Sequence, residues 1–386
     1  MDIVTRKLAY LWLRFVEISS NTIVYFYALL FKRKQQGEIK KIAAYWYTPI
    51  DRIGADLRFG EWKSFFEEDG YGYTNYHCNT FEDYVKYIEK GSKTKRYLYF
   101  ARCIISRLPQ ILKAHHHDCV WIDRGIIPFY PRKNAFLERQ IRKVVLKLVI
   151  DTTDGGDYQA NPKLMEDTFK QADEITVGYK HLKEIYEDRF KVTQVFWTIP
   201  TTNYIIKSTY SINEKPVIGW MGSPGNFQYV REILPQLKAL ASSHNFLFRY
   251  LCRENYDEEM HGIDVEHHYY GDDYYKLIGS FDIGISPFLK DDLRSKGKIA
   301  MKHQEFLLMG IPQACSPVAI SEFVVNNEHV SIVENKDDWY FAIKNLLENE
   351  SLRQKFGDAS KNLFQKYYTY PSQYEKLKTV LTKTIP

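Results

Sequence analysis

The sequence predicts an α/β chain built from two parallel-sheet halves. Three observations predict it: short β-prone runs that end in glycine or polar residues, helical spacing between them, and a lapse near residues 200–215 after which the same pattern restarts. At 386 residues the chain is too long for one ordinary core, so two domains of roughly 150–200 residues are expected.

The elements follow in order. Leu8 to Phe31 reads "LAYLWLRFVEISSNTIVYFYALLF" and is followed by Lys32, Arg33 and Lys34. Arg14 and Glu17 interrupt it, leaving Ile18 to Phe31 as the longest uncharged run, shorter than the roughly 20 residues of a spanning helix. No small-residue cleavage site marks it as a signal peptide. Tyr10, Trp12, Tyr25 and Tyr27, with the basic flank, favour a helix lying in the interface of an anionic leaflet, residues 8–34 making that contact. A helical hairpin docked on its own domain is the alternative. "KIAAYWY" (Lys41 to Tyr47) is the first strand, leading through a glycine-bearing loop into a helix that stops at Asp69-Gly70. "DCVWIDR", "KLVIDTTDGG", "ADEITVG" and "VTQVFWTIP" supply four more strands. After Thr201 to Pro216, where periodicity lapses, "VIGWMGSPGNFQYVREILPQLKAL" is again strand, loop and helix. "FLFRYLC", "FDIGISPF" and "IPQACSP" add strands, and "DDWYFAIKNLLENESLRQKFG" is an amphipathic helix. In doubly wound sheets ligands bind beyond the carboxyl ends of strands, so function is sought in those loops.

Composition excludes several classes. The net charge of +5 is mild and carries no clustered basic stripe, so no nucleic-acid partner is expected. Aromatics reach 16%, with 30 Tyr, which suits ring-stacking ligands or a membrane interface as well as a Tyr-rich core. Five scattered cysteines without CxxC read as reduced thiols in a cytosolic protein. His115 to His117 are adjacent and point different ways, with no partner set at ligand spacing. There is no GxxxxGK[ST] and no GxGxxG after a strand, and no Asp is followed by Asp two residues later. No cofactor and no metal are expected; a bound diphosphate would rely on lysines, arginines and backbone N–H groups.

The stretch "SKGKIAMKHQEFLLMGIPQACSP" (Ser295 to Pro317) crowds three lysines at its start, where a helix dipole disfavours cations. Read as one helix, it puts Lys298 and Lys302 on one face and Glu305 on a neighbouring line. Such lysines repel one another when empty and match a diphosphate when bound; a solvated face is the other reading. Gly222, Ser223 and Gly225 in "GWMGSPGN" form a glycine-bearing loop through which backbone could approach that diphosphate, or a plain tight turn.

These motifs resemble retaining glycosyltransferases of the GT-B fold, family 4. "VIGWMGSPGN" looks like the first strand and loop of that family's C-terminal domain, and "FDIGISPFLKDD" is similar to its "DIGL-P" segment. The Ser295 stretch is similar to its "S-R-G-K … K … E … G-x-P" block. "DCVWIDRG", "VIDTTDGG" and "ADEITVGYKHLKE" agree more loosely, and coverage runs from about Ile42 to about Tyr368. The resemblance implies two Rossmann-like domains facing each other across a cleft. It divides the chain into an amphipathic segment 1–37, an acceptor domain 38–205, a nucleotide-sugar-binding domain 206–368, and a C-terminal helix 369–386 that packs back on the N-terminal domain.

Carried over residue by residue, Glu305 falls on the second glutamate of the E-x7-E motif, implied to bond the donor's ribose. Gly297 stands where the first glutamate belongs. Lys298 and Lys302 match the family's lysines, and Lys296 stands in place of an arginine, keeping charge but not the bidentate fork. "Y-D-x-D-D-A" is kept at Asp151 and Asp154 and broken at Thr153. Lys298, Lys302 and Asp154 are expected to be catalytic. Glu305, Gly222, Ser223, Gly225, Lys296, Gly54 and Arg124 are expected to bind substrate, with Arg52 or Arg58 either a further contact to acceptor or phosphate or a plain surface charge. The resemblance implies sugar transfer with retention from a nucleotide-sugar donor. The missing Asp pair makes it metal-independent, and the amphipathic N-terminus and Tyr-rich composition point to a saccharide or lipid-linked acceptor in surface polysaccharide synthesis. Its place is the cytoplasm, peripheral on the membrane's cytoplasmic face. The alternatives are a non-catalytic GT-B-like scaffold that binds nucleotide or glycan, and a nucleotide-sugar epimerase.

Overall fold

All nine β-prone runs read from the sequence form strands; most pack apolar side chains on both faces of a covered sheet, while Val192–Gln194 is a half-exposed edge strand. The computed structural model describes residues 3–31, 37–47, 56–152, 161–212, 214–271 and 273–383, with backbone alone at 56, 57, 293 and 294. Gly54 and Asp154, with Arg52 and Thr153, lie outside the described residues.

The chain divides into two compact units, 1–198 with 373–386, and 199–372. Unit 1 holds a parallel sheet ordered β2-β1-β3-β4-β5-β6. Its strands are β1 (Lys41–Tyr45), β2 (Gly72–Tyr76), β3 (Cys119–Asp123), β4 (Lys147–Thr152), β5 (Glu174–Val177) and β6 (Val192–Gln194). Unit 2 holds β7 (Val217–Met221), β8 (Leu247–Leu251), β9 (Asp264–His268), β10 (Ile283–Ser286), β11 (Gln313–Cys315) and β12 (Ser331–Ile332), ordered β12-β11-β10-β7-β8-β9. Within unit 2 that is the 3-2-1-4-5-6 order of a doubly wound dinucleotide fold, and unit 1 has the related 2-1-3-4-5-6 order. Three strands were not foreseen: β2, β9 and β12. All are edge strands, half exposed and without a continuous apolar run.

The N-terminal helix α1 spans Ile3–Leu30. Ala9, Leu13, Val16, Val24 and Tyr27 bury one stripe of it in unit 1. There α1 packs on α2 (Lys93–Ile111), so its docking is on its own domain. Among the described residues no helix is long and apolar enough to cross a membrane.

The Ser295 stretch departs from expectation. A short helical turn ends at Lys296, Gly297 to Ile299 are irregular, and α3 runs Met301–Met309 with Ala300 as its extended N-cap. Lys298 is therefore in a loop and shares no helix face with Lys302. Gly310, at φ 70°, closes α3 in the left-handed conformation that glycine tolerates. The last helix, α4 (Tyr370–Thr382), carries the chain into the C-terminal residues of unit 1, where Tyr374 Oη donates to Asp69 Oδ2 at 2.7 Å.

Candidate functional site

The strand order of unit 2 reverses between β7 and β10, and crevices at such switch points take ligands. Three pieces of chain meet there: the Gly222–Asn226 loop after β7, the segment after β10, and the start of α3. The last follows from topology. The connection from β10 to β11 returns antiparallel to the strands, so α3 begins at their carboxyl ends.

Lys302 sits in the first turn of α3 and is buried. Its Nζ donates to Met221 O, the last carbonyl of β7, at 3.2 Å. The rings of Trp220 and Phe288 lie 4.7 and 4.8 Å from the ammonium, and Lys298 Nζ is 5.2 Å from the same Phe288 ring. No carboxylate among the described residues pairs with Lys302. Burial, and then the repulsion of Lys298, push its ammonium well below the ordinary lysine range. A buried cation that has only a carbonyl and aromatic faces is costly, and an anion beside it would relieve the cost.

Glu305 lies one turn further along α3, fully buried. Its Oε1 accepts from Tyr204 Oη at 2.8 Å and Tyr274 Oη at 2.7 Å. Oε2 has no hydrogen-bond partner among the described residues. Burial raises the carboxyl to about 7 despite the two phenols. Trp220 Nε1 and Ser286 Oγ, at the ends of β7 and β10, are likewise buried without a partner. Buried polar atoms left unsatisfied near the carboxyl ends of central strands call for an explanation, and a polar ligand is one. His303, between the lysine and the glutamate, is structural. Ser321 N–H donates to its Nε2 at 3.2 Å, so Nδ1 carries the proton and donates to Gln313 Oε1 at 2.9 Å.

The loop after β7 is shaped by Trp220. A β-carbon on Gly222 would sit 2.6 Å from that buried ring, so only glycine fits. Gly225 faces open space and is not required by packing. Ser223 is exposed, and its side chain caps no N–H of the turn it opens before the Phe227–Ala241 helix.

The structure thus brings Lys298, Lys302 and Gly222 together, with Glu305 below them. Lys296 is turned away: its side chain is 40% exposed and lies 3.7 Å from Asp291. Arg124 does end a strand, but its Nε donates to Asp123 Oδ1 at 3.0 Å and its head covers the Tyr47 ring. Arg58 is not a surface contact. It is buried, clamps Asp151 through two hydrogen bonds and donates to Val195 O and Phe196 O. Sequence reasoning missed Tyr204, Tyr274, Trp220 and Phe288. Tyrosine richness was the available signal, but nothing in it says which rings converge.

Among the described residues no group of three or more His, Cys, Asp or Glu side chains is placed to hold a metal ion.

A family model described as "Glycosyl transferase-like" matches residues 231–379. No curated protein sequence matches the chain. The chain is similar in structure to TarM (TM-score 0.57, 10% identity, 74% of this chain and 58% of TarM). It is similar to a sucrose-phosphate synthase from Thermosynechococcus elongatus (TM-score 0.60, 11% identity, 88% and 98% covered). A third likeness is an α-glucosyltransferase in complex with UDP and a 13-mer DNA (TM-score 0.61, 10% identity, 90% and 100% covered). The chain spans little more than half the length of TarM. These likenesses establish the fold, two parallel six-stranded α/β sheets of the GT-B type.

Proposed function

We propose that this chain is a glycosyltransferase that moves a sugar from a nucleotide-sugar donor, held by unit 2, to a saccharide or lipid-linked acceptor with retention of configuration. The observation that carries the reading is the pairing of Lys298 with the buried, uncompensated Lys302 at the switch point of unit 2. The family model supports it by spanning α3 and both lysines.

When the donor's anomeric C–O bond breaks, its electron pair passes to the leaving phosphate oxygen, which takes the proton of the acceptor hydroxyl as that hydroxyl's oxygen bonds the anomeric carbon. The two ammonium groups meet that charge from fixed positions, and the first N–H groups of α3 add to them. Lys302 begins poorly solvated, so diphosphate binding stabilises its charged form and the chemistry starts with the cation in place. Glu305 Oε2 accepts a donor hydroxyl, its orphaned lone pairs being matched by the ligand. Orientation and leaving-group stabilisation carry the rate, with no metal required. We assign the acceptor to unit 1 and the product to surface polysaccharide.

Gly297, standing where the resemblance expects a glutamate, favours a second reading as a nucleotide-binding scaffold without turnover. One experiment separates them. UDP-, GDP- and dTDP-sugars are screened by thermal shift, and turnover with the best donor is compared between the wild type and Lys298→Ala. Transfer or donor hydrolysis that falls at least about 100-fold in the variant supports the enzyme. Binding without turnover in the wild type supports the scaffold, and no donor binding at all overturns both.

A further inference from the structure

Fourteen of the twenty-four large apolar side chains exposed among the described residues lie in residues 3–31. On α1 the stripe Leu8, Leu11, Phe15, Ile18, Phe26 and Leu29 recurs at three- and four-residue steps, opposite the buried stripe, and is 48–62% exposed. Thr22 fills the one gap, and its hydroxyl bonds back to Ile18 O at 2.9 Å, so it offers solvent no free donor. Leu98 and Ile105 of α2 extend the apolar surface. Large exposed apolar patches on soluble proteins mark interaction surfaces, and this face concentrates most of the exposed large apolar side chains described.

Charge indicates what covers it. Tyr10 packs on Tyr97 at 5.4 Å and Tyr27 on His115 at 5.5 Å, so α1 and α2 run the same way and begin at the same end. Arg6 and Lys7 of α1, and Lys93, Lys95 and Arg96 of α2, gather at that end. None has an acidic partner among the described residues, and all sit where the helix dipoles disfavour cations. Arg6, Lys7, Tyr10, Leu11 and Tyr97 line an open cavity of ≈ 330 Å³ there, with cationic and apolar side chains together in its lining. In a symmetric contact through this same face, a second copy brings no free acid from α1. The acidic side chain described on α1 is Glu17, already paired with Arg14. An anionic leaflet supplies both acyl chains and phosphates. We propose that the exposed face of α1, with its cationic end, seats unit 1 flat on an anionic phospholipid surface. The inference rests on unit 1 alone and stands apart from the sugar-transfer reading.

The test is co-sedimentation of the full chain with vesicles of equimolar phosphatidylglycerol and phosphatidylcholine, against phosphatidylcholine alone. Expected are binding to the anionic vesicles that weakens with salt, binding at least about tenfold weaker to neutral ones, and a similar loss for Leu11→Ser with Phe15→Ser at unchanged Tm. Arg6→Glu with Lys7→Glu should abolish the preference for anionic lipid. Brominated lipid should quench wild-type fluorescence and lose that quenching in Trp12→Phe, a readout that does not depend on the double variant folding. The proposal is overturned by wild-type-like binding of the serine variant, by equal binding to both vesicles, by the absence of vesicle binding, or by a dimer that the serine variant dissolves.

Discussion

Lys302 and Glu305 are buried charges of opposite sign, three residues apart on α3, yet neither pairs with the other. The lysine reaches a carbonyl of β7 and the glutamate reaches two phenols. For Glu305 the folded carboxyl titrates near 7 against an ordinary 4.5. Its folded state therefore holds a proton more tightly than its unfolded state does. That contribution is fully present below about 4.5 and is lost as pH rises through about 7, a swing on the order of 3 kcal/mol. Glu305→Gln keeps an acceptor for both tyrosines and has no charge to bury. Relative to the wild type, it should gain on the order of 2–3 kcal/mol of stability on going from about pH 4.5 to about pH 8. Denaturant unfolding at the two pH values checks this, and an unchanged difference between the proteins would refute the titration of Glu305.

Elements position these residues, and two of them carry the site. The loop after β7 depends on Gly222 against the Trp220 ring. Gly222→Ala should cost about 1–3 kcal/mol, because a fully buried indole cannot yield, and should weaken nucleotide binding as the loop shifts. Gly225→Ala meets open space and should leave both stability and binding near wild type, so calorimetric titration of the pair isolates the effect. The other element is α3. The lysines at and before its start were legible as a cluster, but the break at Gly297 to Ile299 was not. Helical spacing continues across that segment in the text; the chain leaves it because Ala300 N–H bonds Ala319 O rather than a carbonyl one turn back. The edge strands β2, β9 and β12 escaped notice for a related reason. Pairing with a neighbour makes a strand of residues whose own pattern is polar and half exposed.

At the scale of the molecule, unit 1 draws its C-terminal residues from beyond unit 2 in the sequence. Leu377, Val380 and Leu381 are buried, and Tyr374 Oη donates to Phe65 O at 2.9 Å. Lys383 O accepts from the buried Lys147 ammonium at 2.9 Å, and Gln373 Oε1 accepts from Phe196 N–H at 3.1 Å. Ending the chain at Ser372 should cost unit 1 more than about 5 kcal/mol, enough to unfold it. Thermal melts and limited proteolysis would show this as loss of protection in residues 37–198. A shortened chain that melts like the wild type would show that these bonds add little.

By itself the sequence determined two parallel α/β sheets, because buried parallel strands must be written as apolar runs closed by turn residues. It also singled out the lysines and glutamate of the Ser295 stretch, whose charges have no place in an ordinary apolar helix, as candidate site residues. Only tertiary structure decided that Lys296 turns to solvent, that Arg58 locks Asp151 in unit 1, and that tyrosines from distant segments enclose Glu305. Burial and partnership are properties of neighbours brought together by sheet order, and a residue's sequence neighbours do not encode them. The same holds for α1, whose two apolar faces read as one hydrophobic text until packing covers one and leaves the other bare.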